Sequence, residues 1–385
     1  MTGDWFGVRN SLADRGITVD VSTTQFYQGV ATGGLERSFP YGGRNDYFLS
    51  LDGEKLGLWK GFSAKFHGET RYGQTASFIT GALSPVNEYL LVPGYPGTVS
   101  GLTGAEFTQA LSENLLVSAG KINLLDHVHQ PLTGATGLDG FMNLSLIFNP
   151  ILARALPYSA FGAGGVYLQD GEPVLAVSVF DARDAATTSV FDDFFNNGAV
   201  IFGTARLPTK FFGLPGHQGL EGVYSSGRYT NLSKSPYLDP VDGLVLPGTP
   251  QTGTWAVGYL FDQAFWVSPD DPTRVWGVFG KFGISDGNPN AVRWNAGGGI
   301  SGASPIPGRA RDTFGVGFYH LEISSALKRS ATPGTPFRNE QGVELYYNAQ
   351  IAPWFQLTPD LQVIRPFQAI VDTALVVGLR AKLDF

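Results

Sequence analysis

The segment 373–385 at the end of the chain constrains the fold more than any other stretch. Its apolar side chains occupy every second position, counted back from the last residue: Phe385, Leu383, Ala381, Leu379, Val377, Leu375. Asp384, Lys382 and Arg380 fall between them. Successive side chains of a β-strand point to opposite faces, so one face is apolar and the other carries three charges. The pattern fits a soluble core strand, or a membrane barrel strand with lipid outside and a wet lumen inside. We expect the barrel, in which this last strand closes on the first and leaves no edge.

The composition favours curved strands over membrane helices. Charged residues make up 15% of the chain and aromatic residues 13%, with 51 Gly, whereas globular proteins carry about a quarter charged residues and about 7% Gly. No apolar run approaches the ~18 residues of a membrane helix, which excludes helical membrane proteins and leaves barrels open. The absence of Cys excludes disulfide and thiolate chemistry. The net charge of −7 argues against nucleic-acid binding.

The start of the chain predicts a short helix and an exported mature protein. Residues 4–15 fit a helix with Asp4 as N-cap and Gly16 as terminator, so we expect a helical segment over 1–17. The first residues lack the basic and apolar regions of a signal peptide. No linker or shift in composition divides the chain, which predicts one domain over 1–385.

Alternating strand patterns recur from end to end, and we expect an all-β, antiparallel transmembrane barrel of about sixteen strands. In segment 342–351, for example, Val343, Leu345 and Tyr347 oppose Glu344, Tyr346 and Asn348. Similar patterns occupy 18–30, 45–58, 62–72, 254–261, 276–284 and 355–363. No motif of fixed period supports a propeller or another repeat fold.

Short and long connections alternate, as in outer-membrane barrels with short periplasmic turns and long outer loops. The predicted short turns are 59–61, 112–114, 170–172 and 352–354, and the predicted long stretches are 31–44, 74–102, 124–164, 182–197, 230–252 and 322–340. Two middle connections, 207–217 and 302–311, are longer than this rule predicts. A sixteen-stranded barrel leaves an aqueous channel unless loops narrow it, so 124–164 is the candidate inward-folded constriction loop.

Several motifs resemble the OprB-type carbohydrate-selective porins of Gram-negative outer membranes. The start of the chain, 3–17, is similar to the family's amino-terminal signature, and Gly120-Lys121-Ile122-Asn123 with Gly140-Phe141-Met142-Asn143 resembles its third-loop region. The most specific match is Glu344-Leu345-Tyr346-Tyr347-Asn348 followed by 353–362 and Gly378-Leu379-Arg380; segment 308–317 is similar as well. One departure is Leu125-Asp126-His127, where the family often has a Phe-Asp pair after the Gly-Lys.

The resemblance implies a porin for passive diffusion of monosaccharides and oligosaccharides across the outer membrane, with no cofactor. It also implies contact with outer-membrane lipid and lipopolysaccharide, and recognition of Phe385 by the barrel-assembly machinery. A general ion or small-solute porin is the alternative that the residues do not separate from a sugar channel. Lumenal charges of both signs should disfavour strong selection for ions.

Charged side chains on lumen-facing positions and polar or aromatic residues of the constriction loop are the candidate contacts for sugars. Charged groups bond sugar hydroxyls strongly. Equally, each of these charges could pair with charges on neighbouring strands and only solvate the lumen. The apolar part of the loop, 144–156, could simply pack the loop against the wall. We expect Arg71→Ala to change sugar block and to leave folding largely intact. The candidate permeation-path residues are Lys65, Glu69, Arg71, Glu106, Lys121, Phe141, Asn143, Arg154, Glu344 and Arg380.

Enzymatic and metal motifs are weak in this sequence. A barrel enzyme would need a nucleophile and a His at one end of the barrel, and His320 with Ser324 is the nearest such pair. His127 and His129 share a face of an extended segment, but a zinc site needs three or four ligands. We therefore predict neither a catalytic nor a metal site.

Overall fold

The structure, a computed structural model, is a closed antiparallel β-barrel. It describes residues 3–130, 132–135, 137–191, 194–234, 249–331 and 334–385, and within these ranges sixteen strands form the barrel wall and two more form a small separate hairpin. No helix of the described ranges is long and apolar enough to cross a bilayer. The wall strands are β1 Ile17–Thr32, β2 Tyr41–Asp52, β3 Phe62–Gly73, β4 Val99–Ala110, β5 Leu115–Asn123, β8 Ser159–Gln169, β9 Glu172–Asp181, β10 Ala199–Phe211, β11 Leu214–Thr230, β12 Pro250–Val267, β13 Val275–Ser285, β14 Val292–Ala303, β15 Thr313–Ile323, β16 Glu340–Ala352, β17 Phe355–Arg365 and β18 Ala374–Asp384; the hairpin is β6 His129–Gln130 and β7 Gly134–Ala135.

Closure joins the last strand to the first. β18 pairs with β1 in antiparallel register, with Leu379 opposite Tyr27 and Arg380 opposite Phe26. Every other wall strand pairs with the neighbours on its two sides, so the sheet has no open edge. Because backbone groups in a bilayer core must be satisfied internally, closure is what allows strands to span it. The predicted barrel of about sixteen strands is confirmed.

The two faces of the wall differ as the terminal strand predicts. Val377 and Leu379 of β18 are 38% and 42% exposed on the outside, whereas Arg380, the residue after Leu379, is 1% exposed inside. The same alternation runs through β16, where Val343 and Leu345 are exposed and Glu344 is buried. The apolar outer face and polar inner face are those of a barrel that meets lipid outside.

The connections differ between the two ends of the barrel. At the end that holds both chain termini, three connections are two-residue turns, at 170–171, 212–213 and 353–354. The opposite end carries the longest connections: 74–98, 124–158, 182–198, 231–249 and 324–339. By the rule for outer-membrane barrels, the short-turn end is periplasmic. The predicted long connection 207–217 is wrong, because β10 extends to Phe211 and β11 begins at Leu214. The other predicted exception is a longer turn in the structure, over 304–312.

The amino-terminal segment packs at the periplasmic end. The predicted helix is divided into a 3₁₀ turn, Trp5–Gly7, and a helix α1, Val8–Asp14, because Phe6 and Gly7 adopt positive φ angles of 60° and 91°. Arg9 donates to the backbone oxygen of Phe385 at 2.9 Å and pairs with Asp20 at 2.7 Å. The segment therefore fastens the last residue of the chain to the first strand.

Candidate functional site

The 124–158 loop folds into the barrel and packs against the inner wall. Its apolar part includes a one-turn helix, α2 Leu144–Ile147, capped by Asn143. Leu146, Ile147, Ile151 and Leu152 are at most 1% exposed and form a cluster with inward residues of the wall strands: Val200, Val223, Ala256, Phe279, Tyr319 and Tyr346. Burial of these side chains is worth roughly 1.5–3 kcal/mol each. The apolar half of the loop is therefore a plug against the wall, as the sequence allowed.

Wall side chains hold this loop through its backbone. The fully buried carboxylate of Glu344 accepts hydrogen bonds from the amides of Met142 at 2.6 Å and Asn143 at 3.0 Å. Arg380 donates from Nη1 to the carbonyls of Gly137 at 2.6 Å and Gly140 at 3.0 Å. Both residues are predicted permeation-path residues, and both are occupied by the loop.

Phe141 and Asn143 are the loop's own anchors. Phe141 is fully buried and meets Tyr346 edge-to-face, with ring centroids 4.8 Å apart. Asn143 donates to Gln362 at 3.1 Å and accepts from Ser84 of the 74–98 loop at 2.8 Å. Their side chains join the two loops to the wall.

Arg71 holds the 74–98 loop in the same way. Its Nε donates to the carbonyl of Leu90 at 2.8 Å and its Nη1 to that of Gly97 at 2.6 Å, and the residue is fully buried. The expectation that Arg71→Ala leaves folding largely intact is therefore revised: loss of these bonds should loosen the loop.

Lys121 departs from its predicted lumenal orientation. It shares the face of β5 that carries Val117 and the exposed Ala119, whereas Ile122 belongs to the inner cluster. Its amine donates to the carbonyls of Ala186 at 3.3 Å and Thr188 at 3.0 Å, in the 182–198 loop. The alternation of β5 is weak, since small residues follow one another, and the sequence alone assigned this lysine to the wrong face.

A buried charged network joins β2 and β3. Arg44 donates to Asp46 from Nε at 2.9 Å and from Nη2 at 2.8 Å, and it also pairs with Glu69. His67 lies 3.0 Å from Asp46 through Nε2 and 2.9 Å from Asp126 through Nδ1. We call these five residues the Arg44 network. Their strand members are at most 3% exposed.

The Arg44 network also ties both inner loops to the wall. Tyr89 of the 74–98 loop donates to Asp46, and its ring lies under the Arg44 guanidinium at 3.9 Å. Tyr158 of the 124–158 loop donates to Glu69 at 2.5 Å. Burial raises the pKa of Asp126, but His67 and Lys65 outweigh this and the pKa is lowered overall.

The sequence prediction missed Arg44 and Asp46, although their positions could have revealed them. Both lie an even number of positions from Ser50 and Asp52, so they share the inward face of β2 with these two residues. Lys65, His67, Glu69 and Arg71 occupy the inward face of β3, as predicted.

Lys65 and, to a smaller extent, Glu106 are the predicted charges beside the Arg44 network that keep access to the lumen. The Lys65 side chain is 40% exposed, pairs with Asp126 at 3.2 Å and lies 4.9 Å from the Phe48 ring centroid. Glu106 pairs with the half-exposed His127 at 3.0 Å. Opposite charges beside an aromatic ring offer donors and acceptors for hydroxyl groups together with an apolar face.

Arg154 lies elsewhere, near the outer end of the loop. Its guanidinium lies 4.7 Å from the Tyr229 ring centroid and its Nε donates to the carbonyl of Pro289 at 3.4 Å. The structure thus does not bring Arg154 to the accessible charges around Lys65.

Two alternative sites can be compared with the geometry. Ligand atoms of Asp46, His67 and Glu69 lie within 4.8 Å of one another, as a metal site requires, but the guanidinium of Arg44 already pairs with both carboxylates. His127 is paired with Glu106, and the side chain of His129 lies outside the described residues.

His320 and Ser324, the nearest candidate pair for an enzyme, each have structural partners. Ser324 accepts the amide of Leu327 at 3.1 Å and caps the short helix α3, Ser325–Arg329. His320 stacks on Trp294 with centroids 4.8 Å apart and lies 3.6 Å from Glu322. The contacts of each side chain are with other residues, and the two do not form a nucleophile–base pair in the described part of the chain.

A sixteen-stranded barrel with an apolar outside, a polar inside and a loop folded into the lumen defines an outer-membrane porin. A family model described as "Carbohydrate-selective porin, OprB family" matches residues 36–385. The chain therefore belongs to the OprB family of carbohydrate-selective porins, which confirms the resemblance. Family and fold place it in the outer membrane of a Gram-negative cell and indicate a channel rather than an enzyme.

One curated relative and two solved structures are similar to this chain, and the solved structures show the same fold. Porin B of Pseudomonas aeruginosa is 25% identical over 209 residues, covering 47% of this chain and 45% of that protein, so the match spans about half of the relative's length. The high-pH structure of Pseudomonas putida OprB aligns with a TM-score of 0.85 at 22% identity, over 100% of this chain and 98% of that chain. OmpT of Vibrio cholerae, with its loop L8 deleted, aligns with a TM-score of 0.51 at 12% identity, over 96% and 100%.

Proposed function

We propose that this protein is a passive channel for sugars across the outer membrane. The observation that carries the proposal is a barrel lumen occupied by loops that the wall holds at many points, in a chain of the carbohydrate-selective family. Fixed loops set a fixed size limit. Diffusion through such a lumen needs no covalent step and no energy source.

Within the lumen we propose two classes of predicted residue. Lys65 contacts the permeant, since its side chain is 40% exposed, and the 13% exposed Glu106 beside it carries the opposite charge. Glu69, Arg71, Phe141, Asn143, Glu344 and Arg380 shape the path by fixing the loops. Weak hydrogen bonds at the accessible charges would raise flux at low sugar concentration while still permitting release.

Planar-bilayer recordings test the channel and its substrate class. Ion current through the purified protein is measured while glucose, then larger sugars, are added. We expect glucose to reduce the current in a saturable way and sugars above the size limit to have no effect. Absence of channels would contradict the porin proposal, and channels that are indifferent to every sugar would identify a general porin.

We propose that the whole chain, 1–385, forms one domain, with outer-membrane lipid and lipopolysaccharide around it. The last residue is fixed by backbone bonds to β1, through the Phe385 amide and the carbonyl of Val21 at 2.9 Å. A partly exposed aromatic residue at the end of the closing strand suits recognition by the barrel-assembly machinery. Deletion of Phe385 should lower the amount of folded barrel in the outer membrane, as measured by gel mobility before and after heating; unchanged folding would contradict this role.

A further inference from the structure

A cavity of about 660 Å³ lies at the periplasmic end of the barrel and shares no lining residue with the Arg44 network. Its lining comes mainly from β11, β12, the turns 268–274 and 304–312, and the neighbouring strand ends. Sites for small molecules range over about 300–1,000 Å³. We call this cavity the vestibule; its charged lining residues are His217, Asp262, Asp271, Arg274, Arg311 and Asp312.

The carboxylates of the vestibule already have partners. Asp262 accepts from Arg206 at 2.8 Å and lies 2.8 Å from Nδ1 of His217. Asp271 accepts from both the hydroxyl of Thr273, at 2.6 Å, and its amide, at 3.1 Å. These two acids are therefore not free to bind a cation.

Asp312 is committed as well. It accepts from Nε of Arg309 at 2.6 Å, from the hydroxyl of Tyr347 at 2.7 Å and from the amide of Gln350 at 3.0 Å. All three carboxylates of the vestibule thus accept hydrogen bonds from residues of the wall and its turns.

The two guanidinium groups of the vestibule are not committed in this way. Arg274 makes one long hydrogen bond, 3.5 Å to the carbonyl of Ser304, and its Nε is buried without a partner. Arg311 is exposed and, within the described part of the chain, has no hydrogen bond or ion pair. The buried hydroxyl of Thr313, which also lines the vestibule, lacks a partner too.

We infer that the vestibule binds small hydroxylated carboxylates, the chemical class of sugar acids. A planar guanidinium presents its N–H groups as a fork that matches a carboxylate, and charged hydrogen bonds of this kind are about twice as strong as neutral ones. Arg274 and Arg311 would hold the carboxylate, while polar groups such as Thr313 would meet hydroxyls. A neutral sugar satisfies the second set of groups but offers no carboxylate to the two guanidinium groups.

The inference rests on the proposed function, because the ligand reaches the vestibule through the open channel. It also adds a property that neutral-sugar diffusion does not require: an anionic permeant should concentrate at the periplasmic end although the chain carries a net charge of −7.

Planar-bilayer recordings with gluconate and glucose test the inference. In the parent channel we expect gluconate to reach half-maximal block at a concentration about tenfold below that of glucose, as one added charged hydrogen-bonded contact predicts. The double variant Arg274→Gln with Arg311→Gln should lose this difference, and Arg311→Lys, which keeps the charge without the fork, should lose part of it. Lys60→Gln removes a charge from another periplasmic turn and should keep it.

Several results would overturn the inference: equal block by gluconate and glucose in the parent, no effect of the double variant, or an equal loss in Lys60→Gln. Acetate that blocks as strongly as gluconate would also overturn it, because hydroxyl contacts would then contribute nothing. A parent channel blocked by gluconate but not by glucose would instead contradict the neutral-sugar proposal and support the vestibule. Arg311→Gln alone serves if the double variant fails to fold.

Discussion

The Arg44 network and the vestibule use the same kinds of residue in opposite ways. In the network, Arg44 lies between Asp46 and Glu69, and all three are at most 3% exposed beneath the inner loops. In the vestibule, the acids bind their own wall and turns, and Arg311 stays exposed and unpaired among the described residues. One arrangement fixes loops, and the other can receive a ligand.

The difference teaches that an inward position does not define the role of a charge in this barrel. What decides the role is whether a loop covers that position. Glu344 and Arg380 face inward but are bonded to the backbone of the 124–158 loop, whereas Lys65, also inward, remains accessible.

The largest effect should come from removing the central cation of the network. Arg44→Leu leaves Asp46 and Glu69 buried without their counter-ion, which should lower the free energy of unfolding by about 3–5 kcal/mol. Denaturant titrations of the refolded barrel would measure it. Arg311→Leu is the matched control and should change stability little. Similar losses in the two variants would contradict the distinction between the regions.

A smaller effect should follow from weakening one loop attachment. Glu344→Gln replaces one of the two oxygens that accept loop amides by an NH2 group, which cannot accept, and we expect a loss of about 1–3 kcal/mol, the cost of leaving a buried donor unsatisfied. The freed segment around Met142 should also raise single-channel conductance. Glu172→Gln, in an exposed position beside a periplasmic turn, is the control. Parental conductance in Glu344→Gln would show that this bond does not hold the constriction.

The sequence predicts most of the wall because the wall obeys a short-range rule. Alternation in β16, β17 and β18 predicts which residues face outward and which face inward, and the structure confirms it. The rule fails at Lys121, since the small residues of β5 leave its two faces alike.

The interior could not be predicted to the same depth, because its contacts join residues far apart in the chain. Nothing local to Glu344 indicates that it accepts the amides of Met142 and Asn143, about two hundred positions away. The sequence could identify charged residues on the lumen face. Which of these side chains are covered and which remain accessible depends on where the loops run inside the barrel.

Lys65 offers a test of the accessible class. Its ion pair with Asp126 is partly exposed, and such pairs contribute about 0.2–1 kcal/mol, so Lys65→Gln should fold nearly as stably as the parent. We expect it to alter the glucose concentration needed for half-maximal block. Arg71→Ala should show the reverse, a clear loss of stability from its buried bonds. Unchanged sugar block in Lys65→Gln would remove this residue from the permeation path.

The smallest effect should be a pH dependence at His127, on the accessible side of the same region. The hydrogen bond with Glu106 raises the pKa of His127 above its ordinary value of 6.5. A raised pKa means that the folded state binds the proton more tightly, so the stabilisation is fully present below pH 6.5 and is lost as pH rises through the folded value. Stability measured from pH 6 to pH 9 should therefore fall slightly in the parent, and His127→Gln should remove that component. Because the side chain is half exposed, the change should stay well below that of Arg44→Leu; a larger one would place His127 with the buried network.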